Sequence, residues 1–396
     1  MISSFTGYRR ENGHIGVRNH VVVIPTSVAS SSIARGIADK SGPWARATPH
    51  QMGTNQPEET RVQTKQTLIG IGQNPNAGAV LVIELGTEDI DAHALADDIA
   101  RTGKAVEVLT IREAGGVQAA LDKGTELAAE LNNEAANARR EEADASELIF
   151  GVECGGSDAT SGIASNPACG NASDRLVNNG GTACFSETPE FIGAEHILAE
   201  RCVDEELAER MLEYVDRRES MADLMGVDFR GAQPTPGNQE GGLTTIEEKS
   251  LGAIAKGGTS PVQDMVRYGE ELPVGGGLVL MDTPGYDVES VVGMVAGGAQ
   301  VIAFTTGRGS TTGNPIAPVI KVTGNPETYE RMANNMDVDV STVFDGESIE
   351  SAGGRVYDKL LAVADGERTE AETRRLEEFA INEIQVNEIA ALEGGQ

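Results

Sequence analysis

The sequence predicts an α/β protein built from two Rossmann-like, doubly wound units with mainly parallel sheets. Short apolar runs rich in β-branched residues alternate with longer helical patterns, which is typical of parallel sheets covered by helices. The runs are continuous rather than alternating, as expected for strands that are buried on both faces. With 396 residues, the chain is long enough to form more than one hydrophobic core.

Eight apolar runs are predicted as strands, and the segments between them supply six predicted helices. The strands are 20–26, 79–85, 105–111, 148–154, 181–187, 277–283, 300–306 and 318–323. The helices are 88–102, 115–145, 194–216, 246–256, 288–297 and 348–364. The acidic, Ala-rich segment 118–147 is predicted to connect the two units. We therefore divide the chain into a first α/β domain (1–145), a second α/β domain that carries most motifs (146–370) and a charged C-terminal tail (371–396).

The charge balance restricts the class of partner. The chain has 62 acidic and 31 basic residues, a net charge of −31. This field repels nucleic-acid phosphates and anionic lipid, so we expect neither nucleic acid nor a membrane as a partner. The acids are spread along the chain, which favours a halophilic protein, with an ordinary acidic enzyme as the alternative. No signal peptide, membrane-length run or C-x-x-C pair is present, which predicts a cytoplasmic protein with reduced thiols.

Polar residues follow six of the predicted strands, at the edge where open α/β sheets bind ligands. The most informative stretch is 151–166, GVECGGSDATSGIASN, because it has few large apolar side chains to bury. Its Glu153, Cys154 and Asp158 could supply metal ligands or an acid/base pair. Alternatively, Cys154 is a small buried hydrophobic residue and Asp158 caps a turn or a helix.

Three further segments carry candidate chemistry. In 304–315 (FTTGRGSTTGNP), glycines surround Arg308, which suits a carboxylate or phosphate, or else forms a structural ion pair. Lys256 in AKGGTSP offers a weaker anion site. His50, among polar residues in a predicted loop, is a metal ligand, a general base or part of a polar surface. Motifs for a nicotinamide cofactor, a P-loop nucleotide or a serine nucleophile do not occur.

Seven stretches, in order between about residue 7 and about residue 370, resemble the altronate/galactarate dehydratase (UxaA-type) hydro-lyase family. They are GYRRENGHIGVRNHVVVIPT, NPNAGAVLVIELGTE, CGGSDATSGIASNPA, SETPEFIGAEH, PGNQEGGLTTIEEKSLGAIAKGGT, MDTPGYD and AGGAQVIAFTTGRGS. The resemblance implies metal-assisted dehydration of a sugar acid, an aldonate or aldarate, to a 2-keto-3-deoxy acid. The implied metal is Fe²⁺, with Mn²⁺ or Mg²⁺ as alternatives. The family also includes the large subunit of a (2R)-sulfolactate sulfo-lyase, and a non-catalytic subunit is the third hypothesis.

The resemblance also implies partners and departures. Family members often carry a small SAF-type domain before this region, and this sequence begins almost directly at GYRRENG. We therefore expect a separately encoded small SAF-domain subunit, together with a homo-oligomer of the large subunit. The family often has cysteines where this chain has Ser30 or Ser31, Thr54, Thr87 and Asn314, whereas Cys154 is retained. If thiolates hold the metal in those relatives, this chain ligates it differently, uses another metal, carries out another reaction or is not catalytic.

Strand-end position and the implied reaction together assign candidate roles. The catalytic candidates are His50, Asp158, Glu187, Asp282 and Tyr286. The metal-ligand candidates are His50, Glu84, Glu88, Glu153 and Cys154. The substrate-binding candidates are Arg308, Lys256, Ser157 and Asn166. In this hypothesis Asp282 and Tyr286 act as donors near the leaving group, and the two cationic side chains bind a carboxylate.

Overall fold

The structure is a computed structural model, which describes residues 3–224 and 226–384. It contains a seven-stranded sheet in the order β10-β11-β9-β8-β12-β13-β14 and a four-stranded sheet in the order β4-β3-β5-β6, and every strand pair in both is parallel. A small antiparallel sheet, β2-β1-β7, joins them. The predicted α/β class with doubly wound parallel sheets is confirmed. No described helix has the length and apolar character needed to cross a bilayer.

Each predicted strand is present, and six further strands were not expected. The strands are β1 (Ser4–Arg9), β2 (Ile15–Gly16), β3 (His20–Pro25), β4 (Ala45–Ala47), β5 (Ala77–Glu84), β6 (Ala105–Thr110), β7 (Arg140–Asp144), β8 (Ile149–Cys154), β9 (Thr182–Phe185), β10 (Val262–Val266), β11 (Gly277–Met281), β12 (Val301–Thr305), β13 (Val319–Thr323) and β14 (Val338–Asp339). The strand order reverses between β8 and β12, so the loops after these two strands flank a crevice of the kind that binds ligands.

The helices cover both faces of each sheet. They are α1 (Val28–Ser41), α2 (Glu58–Gln73), α3 (Ala92–Ala100), α4 (Ile111–Ala114), α5 (Val117–Ala135), α6 (Asn166–Asn178), α7 (Glu195–Arg201), α8 (Glu205–Leu224), α9 (Phe229–Ala232), α10 (Pro236–Glu240), α11 (Ile246–Ile254), α12 (Asp287–Ala296), α13 (Pro326–Arg331), α14 (Ile349–Ala364) and α15 (Glu370–Thr373). Several begin at a side-chain cap, as α1 does at Ser27, whose Oγ accepts from the Ala29 amide at 3.3 Å.

The predicted connecting helix is too long. Helix α5 ends at Ala135, and residues 140–144 form β7, which pairs antiparallel with β1 from Ser4↔Asp144 to Tyr8↔Arg140. The sequence REEAD has helical propensity, but pairing with the N-terminal strand satisfies its backbone groups in the sheet instead.

A central core lies between the two large sheets. It joins Val22 and Val80 of the four-stranded sheet to Ile302 and Phe304 of the seven-stranded sheet, with α2 and α12 packed between them. The helices approach closely, because a Cβ on Gly70 of α2 would lie 2.2 Å from the Ala296 carbonyl oxygen. The two units therefore pack against each other through a shared apolar layer.

The described part of the predicted tail crosses this junction. We call residues 374–384 the C-terminal strap. Its Ile381 is fully buried and exchanges hydrogen bonds with the Gln51 side chain, and the Asn382 amide donates to the Tyr268 hydroxyl at 3.2 Å. The strap thus ties the loop after β4 to the seven-stranded sheet. The remainder of the predicted tail, 385–396, lies outside the described residues.

Candidate active site

Five ionisable side chains meet at the carboxyl ends of β8 and β9. Glu153 and Cys154 end β8, Glu187 and Glu190 follow β9, and Lys256 follows α11. All five are buried, and the least buried, Glu190, is only 7% exposed. A buried charge is costly unless it is paired, so such a cluster is a candidate for function.

The Lys256 ammonium group is the centre of this cluster. Its Nζ atom lies 2.6 Å from Glu187 Oε2, 3.2 Å from Glu190 Oε2 and 3.2 Å from Cys154 Sγ. The Cys154 thiol in turn donates to Glu190 Oε2 at 3.0 Å. An ammonium group has three N–H donors, and here each of them has a partner.

Glu187 is held in a backbone conformation that non-glycine residues rarely adopt. Its φ is 70°, and its amide donates to the Thr283 hydroxyl at 2.8 Å. The left-handed region costs roughly 1 kcal/mol or more for such a residue, so the surrounding contacts must over-determine it. The conformation turns the chain sharply after β9 and brings both Glu187 and Glu190 to Lys256.

Glu153 lies on the other side of Glu187, and only one of its two carboxylate oxygens accepts hydrogen bonds. Its Oε2 accepts from Ser290 at 2.7 Å and from Ser186 at 3.2 Å, whereas Oε1 has no hydrogen-bond donor among the described residues. Oxygens of Glu153, Glu187 and Asp287 lie within 4.8 Å of one another. Asp287 sits directly over Gly155, where any Cβ would be 2.0 Å from Asp287 Oδ2, so the Gly–Gly turn after β8 makes room for this carboxyl group.

Burial and neighbouring charges separate the pKa values of these carboxyl groups. Burial raises the pKa of Glu153, and burial with neighbouring carboxylates raises that of Glu187 well above its ordinary value. Burial with nearby Glu153 and Glu190 raises the pKa of Asp287 to about 7. Burial also acts to raise the pKa of Glu190, but the ammonium groups of Lys256 and Lys249 outweigh it and lower the value to about 2. The site therefore holds both a proton donor and a carboxylate near neutral pH.

A cavity of about 520 Å³ lies above the cluster. Glu190 and Lys249 line it from the side of the sheet, and Glu383 and Gln51 line it from the strap and the loop after β4. Lys249 Nζ lies 3.3 Å from Glu190 Oε1. Glu190 thus connects the buried ammonium group of Lys256 with a lysine that faces the cavity.

Of two predicted catalytic residues in this region, Tyr286 lines the cavity and Asp282 does not. Tyr286 is 71% exposed. Asp282 is buried at the end of β11, where it forms ion pairs with Arg217 and Arg218 and accepts from Thr188 Oγ1 at 2.6 Å. Because both arginines lie on α8, these ion pairs hold α8 against the sheet, and Asp282 accepts hydrogen bonds here rather than donating one.

The predicted switch-point residues lie in the adjoining loops. Asp158 caps the following turn, accepting from the Thr160 amide at 2.8 Å, and its other oxygen accepts from Asn325 at 2.8 Å. Arg308 pairs with Glu240 at 3.1 Å. Asn166 accepts from Thr305 Oγ1 at 2.5 Å and donates to the Gly252 carbonyl. Ser157 is buried, and its carbonyl accepts from Asn238 at 3.0 Å.

The remaining metal-ligand candidates lie at the four-stranded sheet. His50 Nε2 lies 2.9 Å from the Pro25 carbonyl, and Nδ1 accepts from the Met52 amide at 3.2 Å, so both ring nitrogens are engaged; burial lowers the pKa of His50 to about 4. Glu88 accepts from three consecutive amides, 85 to 87, at 2.6 to 2.9 Å. Glu84 accepts from Thr110 at 2.8 Å. None of the three belongs to a described group of metal-ligand geometry.

Two groups of described residues could each offer three ligand atoms to a metal. The first, Cys154, Glu187 and Glu190, does not fit, because the Lys256 ammonium group already contacts all three ligand atoms and would repel a dication. The second, Glu153, Glu187 and Asp287, fits better, because Lys256 donates a hydrogen bond to only one of its members, Glu187. It offers oxygen ligands to a hard divalent cation, and Glu153 Oε1 is buried without a partner.

Three residues of the site were missed from the sequence: Glu190, Lys249 and Asp287. Glu190 follows Glu187 by three residues in SETPEF, and a second carboxylate so close to a strand end was a usable signal. Asp287 directly follows the chosen Tyr286. Nothing local singles out Lys249, which lies on α11 among ordinary helix residues.

A parallel α/β framework that gathers buried acid/base groups beneath a strand-end cavity is the architecture of an enzyme, and comparison with known proteins gives its family. Residues 145–387 match the family model described as D-galactarate/Altronate dehydratase, C-terminal. Residues 7–136 match the model described as D-galactarate dehydratase/Altronate hydrolase, second domain. The chain belongs to this dehydratase family, and the family is one of lyases.

Three relatives match nearly all of the chain. It is 40% identical to (2R)-sulfolactate sulfo-lyase subunit beta of Chromohalobacter salexigens, over 96% of this chain and 97% of that protein. It is 33% identical to altronate dehydratase of Bacillus subtilis, over 96% of this chain and 77% of the relative. It is 34% identical to altronate dehydratase of Escherichia coli, over 94% of this chain and 76% of that protein. The relatives thus act on two kinds of leaving group.

Proposed function

We propose that this chain is the large subunit of a hydro-lyase that removes water from a sugar acid and yields a 2-keto-3-deoxy acid. The observation that carries the proposal is the separation of carboxyl pKa values beside the cavity, about 2 for Glu190 and about 7 for Asp287. Loss of hydroxide needs a proton donor at the leaving oxygen, and a carboxyl group that titrates near neutral pH is suited to that task.

The reaction requires two proton movements. A base removes the proton from C2, beside the substrate carboxylate, and the C3–O bond breaks as a proton joins the departing oxygen. The resulting enol becomes the 2-keto acid by moving a proton from its hydroxyl group to C3. In this proposal Lys249 binds the substrate carboxylate from the cavity wall, because its ammonium group is cationic and only partly buried. Asp287 supplies the proton.

A divalent metal belongs to the proposal. Glu153 and Glu187 would hold it, with Asp287 beside them as the proton donor, and Ser186 and Ser290 would orient the Glu153 carboxylate. When bound, the metal would stabilise negative charge that develops on substrate oxygens. The oxygen ligand set suits Fe²⁺, and equally Mn²⁺ or Mg²⁺.

Elimination of sulfite is a second candidate, favoured by one observation. The sulfo-lyase subunit beta matches over 97% of its own length, against 77% and 76% for the two altronate dehydratases. Sulfite leaves as a stable anion, so its elimination would depend less on a proton donor than the loss of water does. The subunit designation of that relative also supports the proposed small SAF-domain subunit as the partner of this chain.

The test is a substrate panel on the large subunit co-expressed with its small partner, purified anaerobically in high salt and loaded with Fe²⁺. Aldonates and aldarates are scored for a 2-keto-3-deoxy product, and (2R)-sulfolactate is scored for sulfite. We expect the keto acid. Sulfite alone would establish the second candidate, and neither product from folded, metal-loaded complex would refute both.

A variant pair tests the role of the acid. We expect Asp287→Asn to reduce kcat on the sugar acid by roughly 10² to 10⁴, the usual contribution of a positioned acid or base. Asp345→Asn is the matched control, because Asp345 is an exposed aspartate outside the cluster, in the segment before α14. Equal turnover of the two variants would contradict the assignment of Asp287.

A further inference from the structure

Cys154, Glu187 and Glu190 form a compact group of potential metal ligands. One thiol and two carboxylates converge on a single point, which is a ligand set suited to a borderline metal such as Zn²⁺ or Co²⁺. The point at which they converge is occupied by Lys256 Nζ, 2.6 to 3.2 Å from each ligand atom. A metal bound to a thiolate lies about 2.3 Å from sulfur, so it could not share this space.

The position of Lys256 is fixed by close backbone packing. A Cβ on Gly170 of α6 would lie 2.0 Å from the Ala255 carbonyl oxygen, and a Cβ on Gly257 would lie 2.4 Å from the Phe185 ring. The Ser173 hydroxyl also donates to the Lys256 carbonyl at 3.3 Å. The residues on both sides of Lys256 are therefore in contact with α6 and β9, and its side chain has little freedom to leave the group.

We propose that Lys256 is a built-in cation that takes the place of a metal ion among Cys154, Glu187 and Glu190. It acts as a positioning residue, since it holds Glu190 toward the cavity and Glu187 toward Glu153 without facing the cavity itself. A metal ion bound at this site is then coordinated by oxygen atoms only, and Cys154 remains a protonated thiol. The inference concerns the site of the proposed function but does not depend on which reaction occurs there.

Cobalt spectroscopy tests this directly, because Co²⁺ bound to a thiolate has an intense near-ultraviolet charge-transfer band that oxygen ligands do not give. We expect no such band when the wild-type complex is titrated with Co²⁺. In Lys256→Met the ammonium charge is lost, and we expect the band to appear with one equivalent of Co²⁺. Adding Cys154→Ser to that variant should abolish it.

The controls separate the charge from a general disturbance of the site. Lys249→Met removes the neighbouring ammonium group, which contacts Glu190 but not Cys154, and should leave the spectrum without the band. If Lys256→Met does not fold, the wild-type titration still decides the matter. A charge-transfer band in wild-type protein that is lost in Cys154→Ser would overturn the proposal. So would a folded Lys256→Met protein without the band. Neither result depends on turnover, so failure of the proposed reaction would be seen separately.

Discussion

Asp287 offers the sharpest test of the electrostatics of the site. Its pKa is raised from the ordinary 3.8 to about 7, by burial and by the neighbouring carboxylates. A carboxyl group whose pKa is raised in the folded state binds more protons there than in the unfolded chain. Folded-state stability must therefore fall as pH rises from about 4 to about 7 in metal-free protein. Asp287→Asn removes this titration and should make the metal-free protein more stable at alkaline pH.

The magnitude follows from the two pKa values. Each pH unit between them corresponds to about 1.36 kcal/mol, so the full penalty has an upper limit of about 4 kcal/mol. Between pH 5 and pH 8 the advantage of the variant should grow by about 1 to 3 kcal/mol, since solvent reaches part of the side chain and screens its charge.

Urea unfolding followed by the fluorescence of Trp44, the single tryptophan, measures this difference at constant salt. Asp345→Asn provides the surface control. With saturating Mn²⁺ both proteins should gain stability, because a cation that binds only the folded state stabilises it. A different result would refute this explanation: if Asp287→Asn is no more stable than wild type at pH 8 without metal, the folded protein does not disfavour the ionised form of Asp287.

Three further changes test other parts of the structure, each by urea unfolding. Gly70→Ala should lower stability by about 1 to 3 kcal/mol, through the clash with the α12 backbone, while Gly53→Ala meets open space and should be neutral. Lys104→Met should cost about 2 to 3 kcal/mol, because Lys104 donates to three carbonyls at the end of α2, and exposed Lys40→Met should not. Between pH 6.5 and pH 4, His50 is neutral in the folded protein but protonated in the unfolded chain, so wild-type stability falls as pH falls. His50→Gln removes this titration and should make that fall smaller.

The sequence predicts the strands correctly where burial on both faces is enough to determine the structure. Continuous apolar runs such as HVVVIP and AVLVIE become β3 and most of β5, which are covered on both faces. Strand β7 was missed because REEAD gains its stability from the distant partner β1, and no local pattern records that pairing.

The candidate site was readable only in part. Glu153, Cys154 and Glu187 could be singled out because ionisable groups at the ends of buried strands are unusual. The sequence could not show that Lys256 points inward to those groups rather than outward to an anion, since a lysine in a Gly-rich turn is compatible with both. Its environment is set by α6 and β9, which lie more than 60 residues away in sequence.

The C-terminal strap has a consequence for when the site becomes complete during synthesis. Asn382 and Glu383 form one wall of the cavity, while the groups beneath it belong to strands made much earlier. A ribosome must therefore translate past residue 383, and release that segment from its exit tunnel, before the cavity has this wall. Nascent chains that stop short of this point contain every described strand of both parallel sheets and still lack this wall of the cavity.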